Sequence, residues 1–467
     1  MSQTETAGHW RSPLQHNPLW RTLRTLRGNP KACVLTEPMW GISMALVLPY
    51  ASVFMLALGI TDARIGLIAS IGMIAQVGWG LASGIITDKM GRRLAVAIFD
   101  IVCWVFPSII WAVAQNFWYF VVASVLNGAV LVTQNSWDCL MVEDAEREQL
   151  TNIYSLVKVA SDLSALFMPL AALLVSRWGL VFAVRLLYIN AAFVMAVKVF
   201  VLYRFSRETR TGLRRRAETR HTPITEMLAG YRGVFGKLIW RSPGTLFSLL
   251  VMALVAAIGV VTGVFWPVLV TGRLGVPDAV LPFFQMIRSL VSIVFLFTII
   301  PRLTSMADTE LDETTDNAAM DIAEIGDSDD AAPAHRKAPD LRRATMLGFG
   351  VYLVGQLLLV AIPLLGLNTG FEIYAFLGAT LILDSFGAGI LFTMAESLVA
   401  LHIDETERSR VMAIQRTVVT LSAAPFGWIA GWLSSVNRIY PFILSSILLL
   451  VGLLLAAFKW VSTDQPA

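Results

Sequence analysis

Charge is the first thing this chain has little of. Asp, Glu, Lys and Arg make up 15% of its 467 residues, against roughly 25% in soluble domains. That deficit excludes an ordinary water-soluble enzyme, and no nucleic-acid partner is expected. Cysteine is scarce as well. Cys33, Cys103 and Cys139 are odd in number and lie in or beside apolar runs. They read as small buried hydrophobes, not as disulfides or metal ligands. The five histidines (His9, His16, His221, His335 and His402) sit in polar segments and form no cluster. No metal site and no cofactor is expected. Three motifs are also missing: G-x-x-x-x-G-K-[ST], H-E-x-x-H and a Gly-rich phosphate loop. Their absence argues against an ATP-driven pump and against catalysis by these routes. The chain is not expected to be an enzyme.

What it has in abundance is apolar sequence. Hydrophobic residues make up 56% and the mean hydropathy is +0.67. A helix needs about 20 apolar residues to cross the hydrocarbon core. Twelve runs qualify: roughly 34–59, 66–87, 94–114, 117–141, 153–176, 181–203, 244–270, 279–301, 343–366, 371–400, 411–435 and 440–460. The first is too long for a signal-peptide core and lacks an A-x-A site, so it reads as a retained span. Lys and Arg crowd the N-terminus, the 2–3 loop and the 6–7 loop, while the opposite loops carry few: Arg64, Arg177, Arg273 and Arg438. By the positive-inside rule both termini are cytoplasmic. The expectation is an all-α, multi-pass monomer of the plasma (inner) membrane. Its segments are a cytoplasmic 1–33, an N-terminal six-helix bundle 34–205, a cytoplasmic central loop 206–243, a C-terminal bundle 244–462 and a tail 463–467.

Two polar segments stand apart. Arg204, Arg207, Arg210, Arg214, Arg215, Arg216 and Arg220 precede "TPITEMLAGYRGVFGKLIW". Thr222 suits an N-cap and Pro223 a first helical residue. Ile224, Met227, Leu228, Tyr231, Val234, Phe235, Leu238 and Ile239 recur at helical spacing, which predicts an amphipathic helix on the inner membrane surface. The second segment carries ten acids and no base between Asp308 and Asp330. It is expected to be a disordered acidic loop over 304–340 inside the second bundle. The halves also echo each other. "SWDCLMVEDAEREQ" at the end of span 4 aligns with "MAESLVALHIDETE" at the end of span 10, and "GRRLAVAIFDIV" with "LRRATMLGFGVY". Weak internal repeats of this kind are typical of secondary transporters.

"GIITDKMGRR", Gly84 to Arg93, fits G-x-x-x-D-[RK]-x-G-[RK]-[RK] and lies between spans 2 and 3. In that slot it resembles the signature loop of the major facilitator superfamily. The resemblance covers the whole chain and implies two six-helix bundles around a central cavity, working by alternating access. It also implies a conformational latch made by Gly84, Asp88, Lys89, Gly91, Arg92 and Arg93. In the family the matching acid contacts the start of span 11, here near Val411 with Arg416 deeper, and favours the outward-open state. Two departures matter. The glycine–proline pattern of drug exporters is absent from span 5, "VASDLSALFMPLAALLVSRWG", and the loop's second copy keeps only Arg342 and Arg343.

A charge inside the bilayer costs at least about 2.5–3.5 kcal/mol, so each one that persists needs a reason. Lys158 and Asp162 lie one turn apart in span 5, Arg288 is mid-span 8 and Asp384 mid-span 10. They read either as ion pairs, Lys158–Asp162 and Arg288–Asp384, or as proton-coupling groups together with Glu37. Asp100, Asp138, Glu396 and Arg416 lie nearer the cytoplasmic ends, Arg185 lies toward the outer end of span 6, and Lys198 is expected to snorkel. Tyr50, Gln76, Asn127, Gln134, Asn135, Trp137, Thr262, Trp266, Gln285 and Gln356 are the candidates to line a solute cavity. Amides also glue membrane helices together, so each has a structural alternative. The expected function is proton-coupled secondary transport of a small organic solute, with sugars and similar hydrophilic compounds foremost. The alternatives are efflux of amphipathic compounds and, in another class, a receptor on a transporter fold.

Overall fold

The computed structural model describes residues 18–146, 149–223, 243–298, 341–366, 370–401 and 408–458. The expected amphipathic helix from Ile224 onward and the acidic loop lie outside them. Twelve long helices follow in order: α1 Gly28–Ala57, α2 Asp62–Met90, α3 Arg92–Ala112, α4 Phe117–Val142, α5 Leu150–Trp178 and α6 Leu180–Phe205, then α7 Leu246–Gly272, α8 Asp278–Phe295, α9 Arg342–Leu364 and α10 Phe371–Ala395, and finally α11 Arg408–Val436 and α12 Tyr440–Phe458. Two short helices, Pro18–Thr25 and Arg210–Thr219, lie outside this set.

Among the described residues, eleven helices are long and apolar enough to cross a membrane. The expected twelfth, α11, is a continuous helix of 29 residues. It misses that measure because Ser, Thr, Gly and a proline dilute its apolar residues. Those same small residues let it approach a neighbour closely.

The helices sort into two groups by contact. α1 to α6 pack among themselves, as do α7 to α12. The halves meet chiefly through α2 with α11, α5 with α8, and α1 with α7, with lesser contacts of α1 with α8 and α2 with α7. Shifting helix numbers by six exchanges the first two pairs and returns the third to itself. The contact pattern therefore has the symmetry that the sequence echoes suggested.

Prolines shape the helices where they fall. Pro107 has no N–H to give the carbonyl four residues back, at Cys103. α3 widens into a π-turn over Ile101–Val105 just before it. Asn127 Nδ2 donates to the Cys103 carbonyl at 2.8 Å, supplying the bond the proline cannot. In α1, Pro49 lies in a 3₁₀ turn, Leu48–Tyr50.

The tightest junction between the halves is glycine on glycine. A Cβ at Gly66 of α2 would sit 2.3 Å from the Gly427 carbonyl oxygen and 2.7 Å from the Gly431 Cα of α11. Only hydrogen fits there. One turn on, Ser70 Oγ donates to the Ala424 carbonyl at 2.6 Å and accepts from Trp428 N at 2.7 Å. The hydroxyl is inserted into a backbone bond of the opposite half.

Candidate functional site

Three layers of polar groups run along the molecule. The first closes the end where α2 begins and α11 finishes. Asp62 Oδ2 accepts from Ser434 Oγ at 2.7 Å and from Arg438 Nε at 3.2 Å. Arg438 also packs on Gly272 at the end of α7, where a Cβ would fall 1.9 Å from its Nη1. With the glycine contact and Ser70, this layer joins the halves at one face.

The second layer is mid-helix. Lys158 and Asp162 pair as one reading of the sequence expected, but the pair is not confined to one half. Lys158 Nζ also donates to Ser292 Oγ of α8 at 3.1 Å. The expected Arg288–Asp384 pair does not form. Asp384 Oδ2 instead accepts from Gln356 Nε2 at 2.8 Å. The cause is close packing of α9 on α10. A Cβ at Gly355 would lie 2.5 Å from Asp384 Oδ1, and one at Gly387 2.5 Å from the Tyr352 Cβ. The helices approach so far that Asp384, 3% exposed, is turned into their seam. Among the described residues its Oδ1 has no hydrogen-bond partner, and neither has the Arg288 Nε.

Within the first half, Lys198 does not snorkel. It is 4% exposed and bonds Asp100 Oδ2 at 3.0 Å, with Asp100 fully buried. The buried carboxylate on α3 supplies its counter-charge, so the ammonium need not reach water. Glu37 of α1 is buried and feels the charges of both.

The third layer is the "GIITDKMGRR" loop. Gly91 adopts φ 88°, the turn between α2 and α3. Arg92 Nη1 donates to Asp88 Oδ1 at 3.0 Å, and Arg215 Nε lies 3.8 Å from Asp88 Oδ2. Arg92 Nε also donates to Glu143 at 3.0 Å. Lys89 Nζ donates to the Thr222 and Thr219 carbonyls at 2.8 and 3.2 Å. Arg93 lies on the Tyr203 ring, 3.9 Å from its centroid. Glu208 accepts from the Arg92 and Arg93 amides at 2.8 and 3.1 Å. These are the first free donors of α3, where an anion is favoured. A Cβ on Gly91 would come within 2.7 Å of Glu208 Oε2, a second reason for glycine there. Gly84 is partly buried. All these partners of Asp88 belong to the first half and its trailing segment. The side chains at the start of α11 lie outside the described residues.

Glu143 and Glu208 were missed by sequence reasoning. The available signal was an acid directly after α4 and another after α6, each beside a basic loop. The cavity candidates divide. Asn127 serves the Cys103 carbonyl, Asn135 Nδ2 donates to Thr87 Oγ1 at 3.2 Å, and Thr262 Oγ1 donates to its own helix at Ile258. Gln356 serves Asp384. The Tyr50 hydroxyl, Trp137 Nε1 and Trp266 Nε1 are buried with no hydrogen-bond partner among the described residues. Gln76 and Gln285 are partly buried and Gln134 is exposed.

These layers define a class: a helical membrane protein of two repeated halves, joined at one face and carrying charge between and within them. A family model described as Major Facilitator Superfamily matches residues 39–308. That is more than half of the chain, and the chain belongs to this superfamily. Among solved structures it is similar to the nucleoside transporter NupG, with a TM-score of 0.64 at 13% identity over 92% of this chain and 99% of that one. It is likewise similar to a POT family transporter in complex with a thioalcohol-conjugated peptide, with a TM-score of 0.64 at 12% identity, over 94% of this chain and 99% of that one. A bacterial homologue of the iron transporter ferroportin, in an inward-facing state, aligns with a TM-score of 0.62 at 13% identity over 92% and 97%. At these identities the likeness carries the fold alone. No curated protein sequence matches the chain.

Proposed function

We propose that this protein is a proton-coupled secondary transporter of a small hydrophilic organic solute. It works by alternating access in the plasma membrane, with both termini and the 206–243 and 304–340 segments cytoplasmic. The observation that carries the reading is the seal at one face. Asp62, Gly66 and Ser70 of one half engage Gly427, Gly431, Ser434 and Arg438 of the other. Sealing one face by direct contact between repeated halves is what an inward-facing state of a rocking transporter requires. Asp384 with its unpartnered oxygen is the leading proton carrier, with Asp162, Lys158 and Glu37 as further coupling groups. In this reading Asp88 exchanges Arg215 for the start of α11 when the inner face closes. A proton crossing 100 mV releases about 2.3 kcal/mol, enough for roughly 50-fold accumulation of a neutral solute.

The test is uptake into proteoliposomes with an imposed inward proton gradient. Labelled sugars, nucleosides and short peptides form one panel, and hydrophobic cations the other. Accumulation of a hydrophilic solute that collapses with a protonophore is the expected result. Extrusion of cations alone would reverse the reading to efflux, and binding without flux would make the protein a receptor.

A further inference from the structure

Arg288 sits in the middle of α8 with no hydrogen bond or ion pair among the described residues. A guanidinium carries five donors and cannot lose its charge. Leaving it unmatched at membrane depth is costly, so its missing acceptor calls for explanation. The nearest acid does not supply it. Asp384 is close enough for its charge to bear on Arg288, yet its bonded oxygen is committed to Gln356. Close packing at Gly355 holds its other oxygen in the α9–α10 seam.

A second cation meets the same face of α8. Ser292 lies one helical turn beyond Arg288, and residues four apart share a face. Lys158 of the opposite half donates to Ser292 Oγ at 3.1 Å, and its side chain is 48% exposed. Its partner Asp162 balances one of the two positive charges, and Arg288 remains.

We infer that Arg288, with Lys158 across the junction, forms a binding site for a carboxylate borne by the transported solute. The inference rests on the transport reading and narrows its substrate from hydrophilic solutes at large to organic acids. Arginine's planar fork matches a carboxylate's two oxygens, and lysine adds a point charge. A solute carboxylate seated there touches one residue from each half, so binding is tied to the relative position of the halves. Asp384 becomes a competitor for Arg288, displaced from that role while it stays with Gln356.

The experiment is a thermal-shift and calorimetric titration of the purified full chain. It uses matched pairs that differ only in the anion: gluconate with glucose, lactate with lactamide, and N-acetylglycine with its amide. Glycerol phosphate separates carboxylates from phosphate esters. The expected result is stabilisation by at least one carboxylate and not by its neutral partner. In Arg288→Gln the affinity falls about ten- to a hundredfold, the loss of a charge-assisted bond. Arg288→Lys and Lys158→Gln give intermediate losses and carry the test if Arg288→Gln does not fold. The inference is overturned if no carboxylate in the panel shifts the wild type, if neutral partners or glycerol phosphate alone do, or if the shift survives in Arg288→Gln. Flux of a neutral solute in proteoliposomes, unaffected at Arg288, would overturn the carboxylate site while leaving the transport reading standing.

Discussion

Gly66→Ala should trap the transporter with its sealed face open. The new methyl would lie 2.3 Å from the Gly427 carbonyl oxygen and 2.7 Å from the Gly431 Cα. Both neighbours are backbone, so no side chain can swing away. α2 and α11 must separate, and that also pulls Ser70 out of its bonds to Ala424 and Trp428. Overpacking a tight contact costs about 1–3 kcal/mol, and the backbone obstruction places this case at the upper end. The cost falls on the sealed state alone, because an open seam leaves the methyl free. At about 1.4 kcal/mol per decade, 2–3 kcal/mol would deplete the sealed state about 30- to 150-fold. The assay is maleimide labelling of Ala63→Cys, half-buried at the same seam, from the face opposite the termini. Labelling should speed up in Gly66→Ala while transport falls and the melting temperature changes little. Gly78→Ala, on the same helix with nothing within 4 Å of the new methyl, is the control and should behave as wild type. Wild-type labelling and transport in Gly66→Ala would refute the assignment of this seam as a moving seal.

The other expectations are more local. Asn127→Leu leaves the Cys103 carbonyl without its donor, so stability should fall by about 1–3 kcal/mol with substrate affinity unchanged; an unaltered melting temperature would refute the structural role. Asp100→Asn strips a charge from buried Lys198 and should destabilise by about 3–5 kcal/mol, whereas Asp100→Leu with Lys198→Met should recover most of that; a double variant as weak as the single would show that the pair does more than balance charge. Asp88→Asn should slow transport while membrane insertion and folding stay intact, measured by uptake beside size-exclusion profiles, and wild-type rates would remove the latch. Glu208→Ala withdraws the acceptor from the Arg92 and Arg93 amides and should cost about 1 kcal/mol, read by protease sensitivity of the loop.

The helical runs were legible because lipid demands about 20 apolar residues per crossing, and that rule leaves little freedom. α11 was legible as a helix, yet it owes its polarity to close contact with α2 at Gly427 and Gly431, a relation between residues more than 350 apart. The signature loop was legible from spacing alone, but its partners were not. Glu208 reaches it only because α6 ends beside the start of α3, which no local pattern encodes. Asn127 read as cavity-lining because a lone amide in a span is ambiguous. Its role became visible only when Pro107 was seen to free a carbonyl on the neighbouring helix. Asp384 and Arg288 looked like a pair because sequence gives charge and depth but not azimuth. The glycines at 355 and 387 turned the acid toward α9 instead.

Among the described residues, the two halves share a topology but place their arginines differently. At the α2–α3 turn, Asp88, Arg92, Glu143 and Glu208 interlock, with Arg215 closing the set from the segment after α6. At the equivalent point of the second half, Arg342 turns instead to the Ala456 and Ala457 carbonyls. It caps the end of α12, where free carbonyls favour a cation. The first half therefore fixes its α2–α3 turn with a network of acids and bases. The other places one of its two arginines, Arg342, on a helix end within the same bundle. A switch between states needs an element whose partners can be exchanged. Asp88 has such partners: Arg215 is a 3.8 Å contact on an exposed helix, looser than the 3.0 Å bond to Arg92. The weaker contact is the one that can be surrendered to the opposite half without dismantling the turn. In the proposed latch, Arg215 is the partner that Asp88 exchanges for the start of α11.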